Sequence, residues 1–226
     1  MGTGIRAIKN LRLFPTPLVW KQELAPEVYV LGFKREEDFL PGQVVGISHS
    51  LELEPRLYSI ASGNKDESLE ILFNVNPEGA LTPILGNQNP GNILQLSKPF
   101  GSFTLNENRA SYWIAAGTGI APFRSYLRSG LPAPIELIHG GRQLQSFYFQ
   151  DEFLQKLPSG YVRCCTQEKG ENLYEGRLTN YLREHTALQL DANFYLCGSA
   201  EMVVEVRDIL LAKGVSYQQI IAEIYF

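Results

Sequence analysis

The sequence has only three cysteines, Cys164, Cys165 and Cys197, among its 226 residues. Two of them are adjacent and the count is odd, which argues against a disulfide framework. An iron–sulfur cluster needs about four thiolates, so this chain cannot hold one by itself. If the protein moves electrons, it must use an organic cofactor or a metal held by a partner. The cysteine usage also indicates a reducing cytoplasm.

Charge and long apolar runs are scarce as well. The formal net charge is only −4, which argues against broad binding of nucleic acids. No apolar run is long enough to cross a bilayer, and the opening run MGTGIRAIKN lacks the apolar segment of a signal peptide. The histidines His49, His139 and His185 share no local pattern with acidic residues or cysteine. We therefore expect a cytoplasmic protein without membrane insertion or a metal site, and we interpret the histidines as structural.

The two halves of the chain carry different patterns. From about Thr16 to Leu105, short β-type runs such as EVYVLGF, QVVGISH, LEILFNV and ILQLS alternate with proline and glycine, which indicates an antiparallel barrel. From about Ser111 onward, five strand-like runs alternate with helix-like runs, which predicts a parallel α/β domain with five strands. The predicted domains are therefore 1–107 and 108–226. The predicted helices in the second domain are Ala121–Arg128, Asp151–Leu157, Leu178–Glu184 and Ala200–Lys213.

The run AAGTGIAPF has the outline of a dinucleotide-binding loop. Gly117 and Gly119 follow a strand-like segment, where glycine permits a tight turn and the close approach of a ligand. Pro122 stands where such loops carry a third glycine, near a predicted helix start at which its missing N–H costs nothing. The residues alone leave two interpretations open, a nucleotide loop and an ordinary strand-to-helix turn.

The run RLYSIAS combines three chemically distinct side chains. We expect Arg56, Tyr58 and Ser59 to share one face of a strand. The arginine fork suits phosphate oxygens, the tyrosine ring can stack on another ring, and the serine hydroxyl can reach a ring nitrogen. That order describes a flavin nucleotide lying along the strand. Taken alone, however, the run is better explained as a half-exposed barrel strand.

Four motifs decide between these interpretations: RLYSIAS, GTGIAPFRSYL, YLCGSAEM and AEIYF occur in this order. Together they resemble the ferredoxin–NADP⁺ reductase family in its short bacterial flavodoxin/ferredoxin reductase form. The resemblance covers about residues 41–226. It implies FAD in the barrel and NADP(H) in the α/β domain, with hydride passing between nicotinamide and flavin N5. Single electrons would then pass to or from ferredoxin or flavodoxin as the protein partner.

The resemblance assigns flavin contacts to two segments of the first domain. It implies that Arg56 binds the pyrophosphate, Tyr58 stacks on the isoalloxazine, and Ser59 hydrogen-bonds N5. The run FNVNPEGALTPIL resembles the family's second flavin segment, where backbone N–H groups at a helix start would cradle the pyrophosphate. The implied FAD-binding residues are Arg56, Leu57, Tyr58, Ser59, Asn74, Val75, Gly79, Ala80, Leu81, Thr82, Thr118, Tyr225 and Phe226.

The resemblance also places the reacting centre and the second nucleotide. Cys197 would lie beside the nicotinamide, and Tyr225 would cover the flavin face that the nicotinamide must reach. Glu223 would support positioning or proton supply, so the implied catalytic residues are Ser59, Cys197, Glu223 and Tyr225. The implied NADP-binding residues are Gly117, Thr118, Gly119, Arg142, Thr166, Arg177, Cys197, Gly198 and Met202.

The choice between NADP and NAD depends on basic residues that could bind the 2′-phosphate. Arg142 and Arg177 match positions where the bacterial branch carries such residues. Between them the family usually has Ser-Arg, whereas Thr166 and Gln167 stand here. Thr166 can replace the serine hydroxyl, but Gln167 cannot replace the charge. These residues favour NADP and leave NAD open.

Two alternative functions remain open. The chain could be the reductase component of an oxygenase or another multi-component system. It could instead be a flavin-holding electron-transfer subunit of a larger complex without its own NAD(P)H site, although Gly117, Gly119 and the YLCGSAEM motif argue against this. The basic residues Arg6, Lys9, Arg12 and Lys21 could attract an acidic electron carrier, or they could belong to a solvated terminal strand.

Overall fold

The chain forms two compact units, divided between Thr104 and Leu105. The computed structural model describes residues 11–185 and 187–225. Each unit has its own six-stranded sheet and its own buried core. The sheet of the first unit is antiparallel and that of the second is parallel, which confirms the predicted fold class.

The first unit is an antiparallel sheet that closes on itself. Its strand order is β4-β3-β6-β1-β2-β5, and the two edges meet where Ile60 pairs with Ile71 and the N–H of Ala61 donates to the Glu70 carbonyl. Its described elements are β1 (Leu13–Ala25), β2 (Val28–Lys34), β3 (Val44–Ser48), β4 (Arg56–Ser59), β5 (Ser68–Asn74), α1 (Thr82–Gly86) and β6 (Ile93–Ser97). The core lies inside the closed sheet and includes Leu31, Ile47 and Ile71.

Strand β1 is absent from the predicted strands because Pro15 and Pro17 lie within it. A proline inside a run normally argues against a strand, since it cannot donate to the ladder. Both prolines lie in the part of β1 that pairs with β6 alone, and pairing with β2 begins at Leu18. The N–H groups that Pro15 and Pro17 lack are therefore not needed for pairing with β2.

The second unit is a parallel sheet with helices between most of its strands. Its strand order is β10-β9-β8-β7-β11-β12. Its described elements are β7 (Ser111–Ala116), α2 (Ala121–Arg128), β8 (Glu136–Gly141), α3 (Gln150–Lys156), β9 (Tyr161–Cys165), β10 (Leu173–Glu175), α4 (Leu178–Glu184), β11 (Asn193–Ser199), α5 (Ala200–Ala212) and β12 (Ile220–Tyr225). The sheet has six strands rather than the predicted five, because β10 is a three-residue edge strand and is too short to show a periodic pattern.

The winding of the second sheet reverses between β7 and β11. The chain runs outward from β7 through β8, β9 and β10, and then returns to place β11 beside β7. In open parallel sheets, ligands bind beyond the carboxyl ends of the strands at such a reversal. The residues that follow β7 and β11 therefore occupy the place where this fold holds a ligand. No helix in the described residues has the length and apolar character needed to cross a membrane.

A buried arginine fastens α2 to α3. Arg124 is only 6% exposed, and its Nε and Nη2 atoms donate to Oε1 of Glu152 at 3.0 and 2.9 Å. Its guanidinium also lies 3.9 Å from the centroid of the Phe149 ring. Helix α2 follows directly after the loop that leaves β7. The contacts of Arg124 therefore also hold the end of that loop in place.

We expect Arg124→Met to lower the free energy of unfolding by about 1–3 kcal/mol, because the charge-assisted hydrogen bonds to Glu152 are lost. Arg128→Met is the matched control: Arg128 lies 3.6 Å from the same carboxylate but is one-third exposed, so we expect a loss of about 0–1 kcal/mol. Urea unfolding measures both. Equal losses in the two variants would contradict the anchoring role of Arg124.

Candidate active site

The loop between β7 and α2 lies directly against the carboxyl end of β11. Residues Gly117–Ile120 form a 3-10 turn, and the N–H of Ala121 donates to the carbonyl oxygen of Thr118 as α2 begins. A Cβ atom added to Gly119 would overlap the backbone carbonyl of Cys197. Gly117 has φ +54°, a left-handed conformation that glycine adopts without strain. The close approach therefore requires glycine at residue 119, the left-handed conformation favours glycine at residue 117, and the half-exposed Thr118 lies between them.

Cys197 is fully buried at the end of β11 and touches two other predicted site residues. It pairs with Glu223 across the β11–β12 ladder, and its thiol hydrogen-bonds the Tyr225 side chain. Burial raises the pKa of the Cys197 thiol well above its usual value, and the Glu223 charge raises it further, although the Tyr225 bond opposes this. The sulfur is therefore an uncharged thiol at neutral pH, suited to contact with an apolar ring and unsuited to nucleophilic attack.

Helix α5 begins immediately after this strand. The Ser199 hydroxyl caps the helix by accepting from the N–H of Met202 at 3.3 Å. The Met202 side chain is buried and packs over Gly198, where an added Cβ would meet its terminal methyl group. Gly198 and Met202 thus pack together at the carboxyl end of β11, and sequence reasoning missed Ser199 as the capping residue.

The ends of β8 and β9 are joined by backbone bonds around Arg142. The Arg142 carbonyl accepts from the N–H of Gln167 at 2.9 Å and from the Cys165 thiol at 3.3 Å. The N–H of Thr166 donates to the Gly141 carbonyl. The Arg142 side chain is exposed and makes no ion pair with a residue in the described ranges. It is therefore available to an anionic ligand.

Arg177 differs from Arg142 because a carboxylate already holds it. Its Nη2 atom lies 3.2 Å from Oε2 of Glu205, whose other oxygen accepts from Arg183 at 2.7 Å. These two arginines lower the pKa of Glu205, with the bond from Arg183 as the largest cause, so the carboxylate stays charged. A second acidic group, Glu168, accepts from the N–H of Leu144 close to Arg142 in the chain. These two carboxylates therefore offset part of the positive charge with which Arg142 and Arg177 could attract an anion.

In the first unit, β4 presents the flavin motif with one difference from expectation. Tyr58 pairs with Val45 and Ser59 pairs with Val44. Because successive side chains alternate across a strand, Ser59 faces away from Arg56 and Tyr58. The predicted row of three residues on one face is therefore wrong, since Ser59 follows Tyr58 by one residue rather than two.

The other two side chains of this motif, Arg56 and Tyr58, suit a ligand that has both an aromatic ring and a negative charge. Arg56 is exposed and makes no ion pair within the part of the chain that the structure describes. Tyr58 is half-buried against the edge of the Phe73 ring, with centroids 6.1 Å apart, and burial raises its pKa to about 12. A neutral tyrosine ring beside an unpaired arginine is the donor set that a ring-plus-phosphate ligand requires. Leu57, by contrast, lies on the other face of the strand with Ser59.

Residues 74–82, the second segment predicted to contact a flavin, form a closed turn leading into α1. The Thr82 hydroxyl accepts from the N–H of Asn76 at 2.9 Å and donates to its carbonyl at 3.2 Å. Leu81 is buried and anchors the turn, and Pro83 lies in the first turn of α1, which no side chain caps. The Thr82 hydroxyl is already hydrogen-bonded to Asn76 within the turn. We therefore expect the backbone of this segment, and not this hydroxyl, to contact a ligand. Four predicted contacts flank this turn: Asn74 and Ala80 are exposed, and Val75 and Gly79 are half-buried.

The predicted residues therefore gather into one group in each unit. Within the second unit, the structure brings Gly117, Thr118 and Gly119 to the end of β11, where Cys197 and Tyr225 meet. Phe226, Arg6 and Lys9 lie outside the described residues. No group of three or more metal-ligating side chains occurs in the described ranges.

The sequence analysis interpreted His139 as structural but did not predict its contact with the loop between β7 and α2. His139 is fully buried in β8, where it bonds the Gly117 carbonyl and the Tyr161 hydroxyl. The signal was present in the run PIELIHGG, because a histidine inside a buried parallel strand must find partners for both ring nitrogens. The identity of those partners depends on strand order, which the sequence does not display.

Matches of the chain to known proteins agree with one another. The Oxidoreductase NAD-binding domain family matches residues 113–208. The chain is 30% identical over 209 residues to a ferredoxin–NADP reductase of Azotobacter vinelandii, covering 78% of this chain and 80% of that one. It is 29% identical over 187 residues to the toluate 1,2-dioxygenase electron transfer component of Pseudomonas putida, covering 78% of this chain and 56% of the relative.

A solved structure agrees with these sequence matches. A ferredoxin NADP⁺ reductase from Neisseria gonorrhoeae with bound FAD and NADP has a TM-score of 0.86 and 22% identity to this chain, covering 95% of this chain and 99% of that one. This likeness shows the shared fold. The chain spans only 48% to 58% of the length of three relatives named for oxygenase systems.

We expect Gly119→Ala to lower the free energy of unfolding by about 1–3 kcal/mol or more, because the new methyl group collides with the Cys197 carbonyl. Gly160→Ala is the matched control in the same unit: its nearest contact would be the Ile135 carbonyl at 3.3 Å, so we expect a change of about 0.5 kcal/mol or less. Thermal and urea unfolding measure both. A stable Gly119→Ala protein would show that the loop does not depend on this close approach.

Proposed function

The chain belongs to the ferredoxin–NADP reductase family, and on that premise we propose that it is an FAD-dependent oxidoreductase exchanging electrons between NAD(P)H and ferredoxin or flavodoxin. When bound, FAD would accept an electron pair from the reduced nicotinamide and release the electrons singly. We assign FAD to the first unit and the nicotinamide dinucleotide to the second. The three cysteines are free and buried, which supports a cytoplasmic location.

One observation carries this proposal: Gly119 lies against the Cys197 carbonyl at the sheet's point of reversal. This contact brings the β7 loop and the end of β11 to the place where parallel sheets bind nucleotides. The absence of a side chain at residue 119 leaves room beside the half-exposed Thr118, and the buried Cys197 thiol adds no charge there. This arrangement suits a flat ring that must approach the backbone closely.

The other residues of the second unit supply positioning and a proton-bearing group. The Tyr225 side chain bonds the Cys197 thiol and would have to move aside for a nicotinamide ring to reach that position. Glu223 pairs with Cys197 in the ladder and is the nearest carboxylate of that ladder, so we assign it proton supply or positioning. Holding the reacting atoms about 3–3.5 Å apart is the main contribution that such residues can make.

The residues of the first unit would hold the flavin. Arg56 would bind the pyrophosphate through its exposed guanidinium, and Tyr58 would stack on the isoalloxazine. The segment 74–82 would add backbone N–H contacts. Because Ser59 faces away from Tyr58 in the strand, its proposed bond to flavin N5 requires the ring to pass the end of β4, where the strand terminates.

For the nucleotide we propose NADPH as the preferred substrate, with NADH also accepted. Support for NADPH comes from Arg142, which is exposed and makes no ion pair with a described residue. The preference should be modest because Glu205 holds Arg177 and because Glu168 places a carboxylate after β9. Electrostatic preference for a 2′-phosphate depends on the net positive charge around it.

A second candidate is the reductase component of an oxygenase system. The 29% identity to the toluate dioxygenase component favours it. Residues 1–226 contain three cysteines, too few for an iron–sulfur cluster, so the electrons would leave for a metal centre outside these residues. The two candidates share the site and differ in the partner.

Anaerobic reduction of the FAD-loaded protein by NADPH and by NADH tests the proposal. We expect both to bleach the flavin absorbance, NADPH at lower concentration. The reduced protein is then mixed with ferredoxin, flavodoxin or the ferredoxin of a dioxygenase system, and the fastest reoxidation identifies the partner class. If neither nucleotide bleaches the flavin, the chain is a flavin-holding subunit and the proposal is wrong.

We expect Arg142→Ala to raise the KM for NADPH about tenfold, because a charge-assisted contact with the 2′-phosphate is lost. The KM for NADH should stay unchanged in the same variant, which makes NADH the internal control. Steady-state kinetics with an artificial electron acceptor measures both values. A parallel rise for the two nucleotides would place Arg142 on a part of the ligand that they share.

A further inference from the structure

His139 links the core of the second unit to the nucleotide loop. It lies in β8, opposite Ala115 of β7 and Arg163 of β9, and it is fully buried. Its Nε2 atom lies 3.3 Å from the Gly117 carbonyl oxygen, and its Nδ1 atom lies 2.9 Å from the Tyr161 hydroxyl. Both ring nitrogens therefore have partners, and one partner belongs to the loop.

The identity of these partners fixes the position of the ring proton. A carbonyl oxygen can only accept, so Nε2 must carry a hydrogen to bond Gly117. Burial lowers the pKa of His139 to about 4, so the ring is neutral and holds a single N–H near pH 7. Nδ1 is then an acceptor, and the Tyr161 hydroxyl must donate to it. Burial raises the pKa of Tyr161, which keeps that hydroxyl protonated.

The surroundings hold the ring in one orientation. Phe147 meets the imidazole edge-on with centroids 5.3 Å apart, and the Tyr161 ring lies nearly parallel to it at 6.2 Å. Phe153 packs behind Tyr161 at 5.5 Å. An apolar residue could fill this space, so packing alone does not require a histidine. What the histidine adds is a directed donor to the Gly117 carbonyl.

We propose that His139 is a positioning residue for the nucleotide loop: with its tautomer set by Tyr161, it holds the Gly117 carbonyl so that residues 117–119 keep the conformation that receives the nicotinamide. Gly117 is the left-handed residue at which the chain leaves β7. A bond to its carbonyl therefore fixes the peptide plane that orients Thr118. The inference rests on the proposed function, because it assumes that this loop meets the dinucleotide.

Four variants in the FAD-loaded protein test the role. His139→Leu removes both hydrogen bonds, whereas His139→Gln keeps a donor that can reach the Gly117 carbonyl. Tyr161→Phe leaves the loop bond in place but removes the group that sets the tautomer. Phe153→Leu is the matched control, because it loosens the same aromatic cluster without touching either bond.

Two measurements do not depend on turnover. Calorimetric titration with NADP⁺ and with NAD⁺ should give a Kd about tenfold higher in His139→Leu, corresponding to one lost buried hydrogen bond. His139→Gln and Phe153→Leu should stay close to the wild type. Nitrogen-15 NMR of the histidine rings should show the Nε2–H tautomer in the wild type and a mixture of tautomers in Tyr161→Phe, with a Kd between those of the wild type and His139→Leu.

The rate constant of flavin reduction at saturating nucleotide gives a third readout. A misplaced loop should slow it by about tenfold or more in His139→Leu, whereas a purely structural loss would lower the melting temperature alone. If Phe153→Leu matches His139→Leu in Kd and rate, or if His139→Leu keeps wild-type values, the positioning role is wrong. If the wild type binds the nucleotides but shows no flavin reduction, the proposed function fails, and Kd and tautomer still decide the role of His139. If the wild type binds neither nucleotide, both the proposed function and the positioning role are wrong. If His139→Leu does not fold, Tyr161→Phe decides by the same criteria.

Discussion

The second unit depends on a backbone contact that only glycine permits, the approach of residue 119 to the Cys197 carbonyl. The contact requires β7 and β11 to be neighbours, and they are neighbours because the chain winds outward through β10 before it returns. It also requires α2 to start at once after the turn, where Pro122 needs no hydrogen-bond partner. Strand order, loop composition and helix start are thus all conditions for this one contact.

Burial keeps three titratable side chains around this contact uncharged. The pKa of the Cys197 thiol is raised, that of the Tyr126 hydroxyl is raised, and that of His139 is lowered. Removal from water disfavours the charged form of each group. These three side chains therefore add no fixed charge at the carboxyl ends of β7 and β11, where the charge acting on Cys197 comes from Glu223. Exposed arginines lie instead after β8 and after β10, at Arg142 and Arg177.

The sequence predicts those parts of the structure that local patterns encode. The helix Ala121–Arg128 has the bounds predicted for it, because a proline at its start and an apolar face lie within one short window. Features that depend on neighbouring strands were not predictable. Pro15 lies in a strand because only one ladder runs beside it there, and the carboxylate that holds Arg177 comes from a helix 28 residues later. The face on which Ser59 lies could have been predicted from strand alternation alone. The prediction was wrong because it placed the neighbouring residues Tyr58 and Ser59 on the same face.

The pairing of Glu205 with Arg177 and Arg183 has a consequence for how an anion could enter. A phosphate that reaches Arg177 would not fill a vacant position but would compete with a carboxylate tethered to the same fold, whose effective concentration is high. The entry is then an ion exchange in which one anion replaces another. On the proposed function, selection among dinucleotides would therefore be adjusted from helix α5, by changing how firmly Glu205 is held.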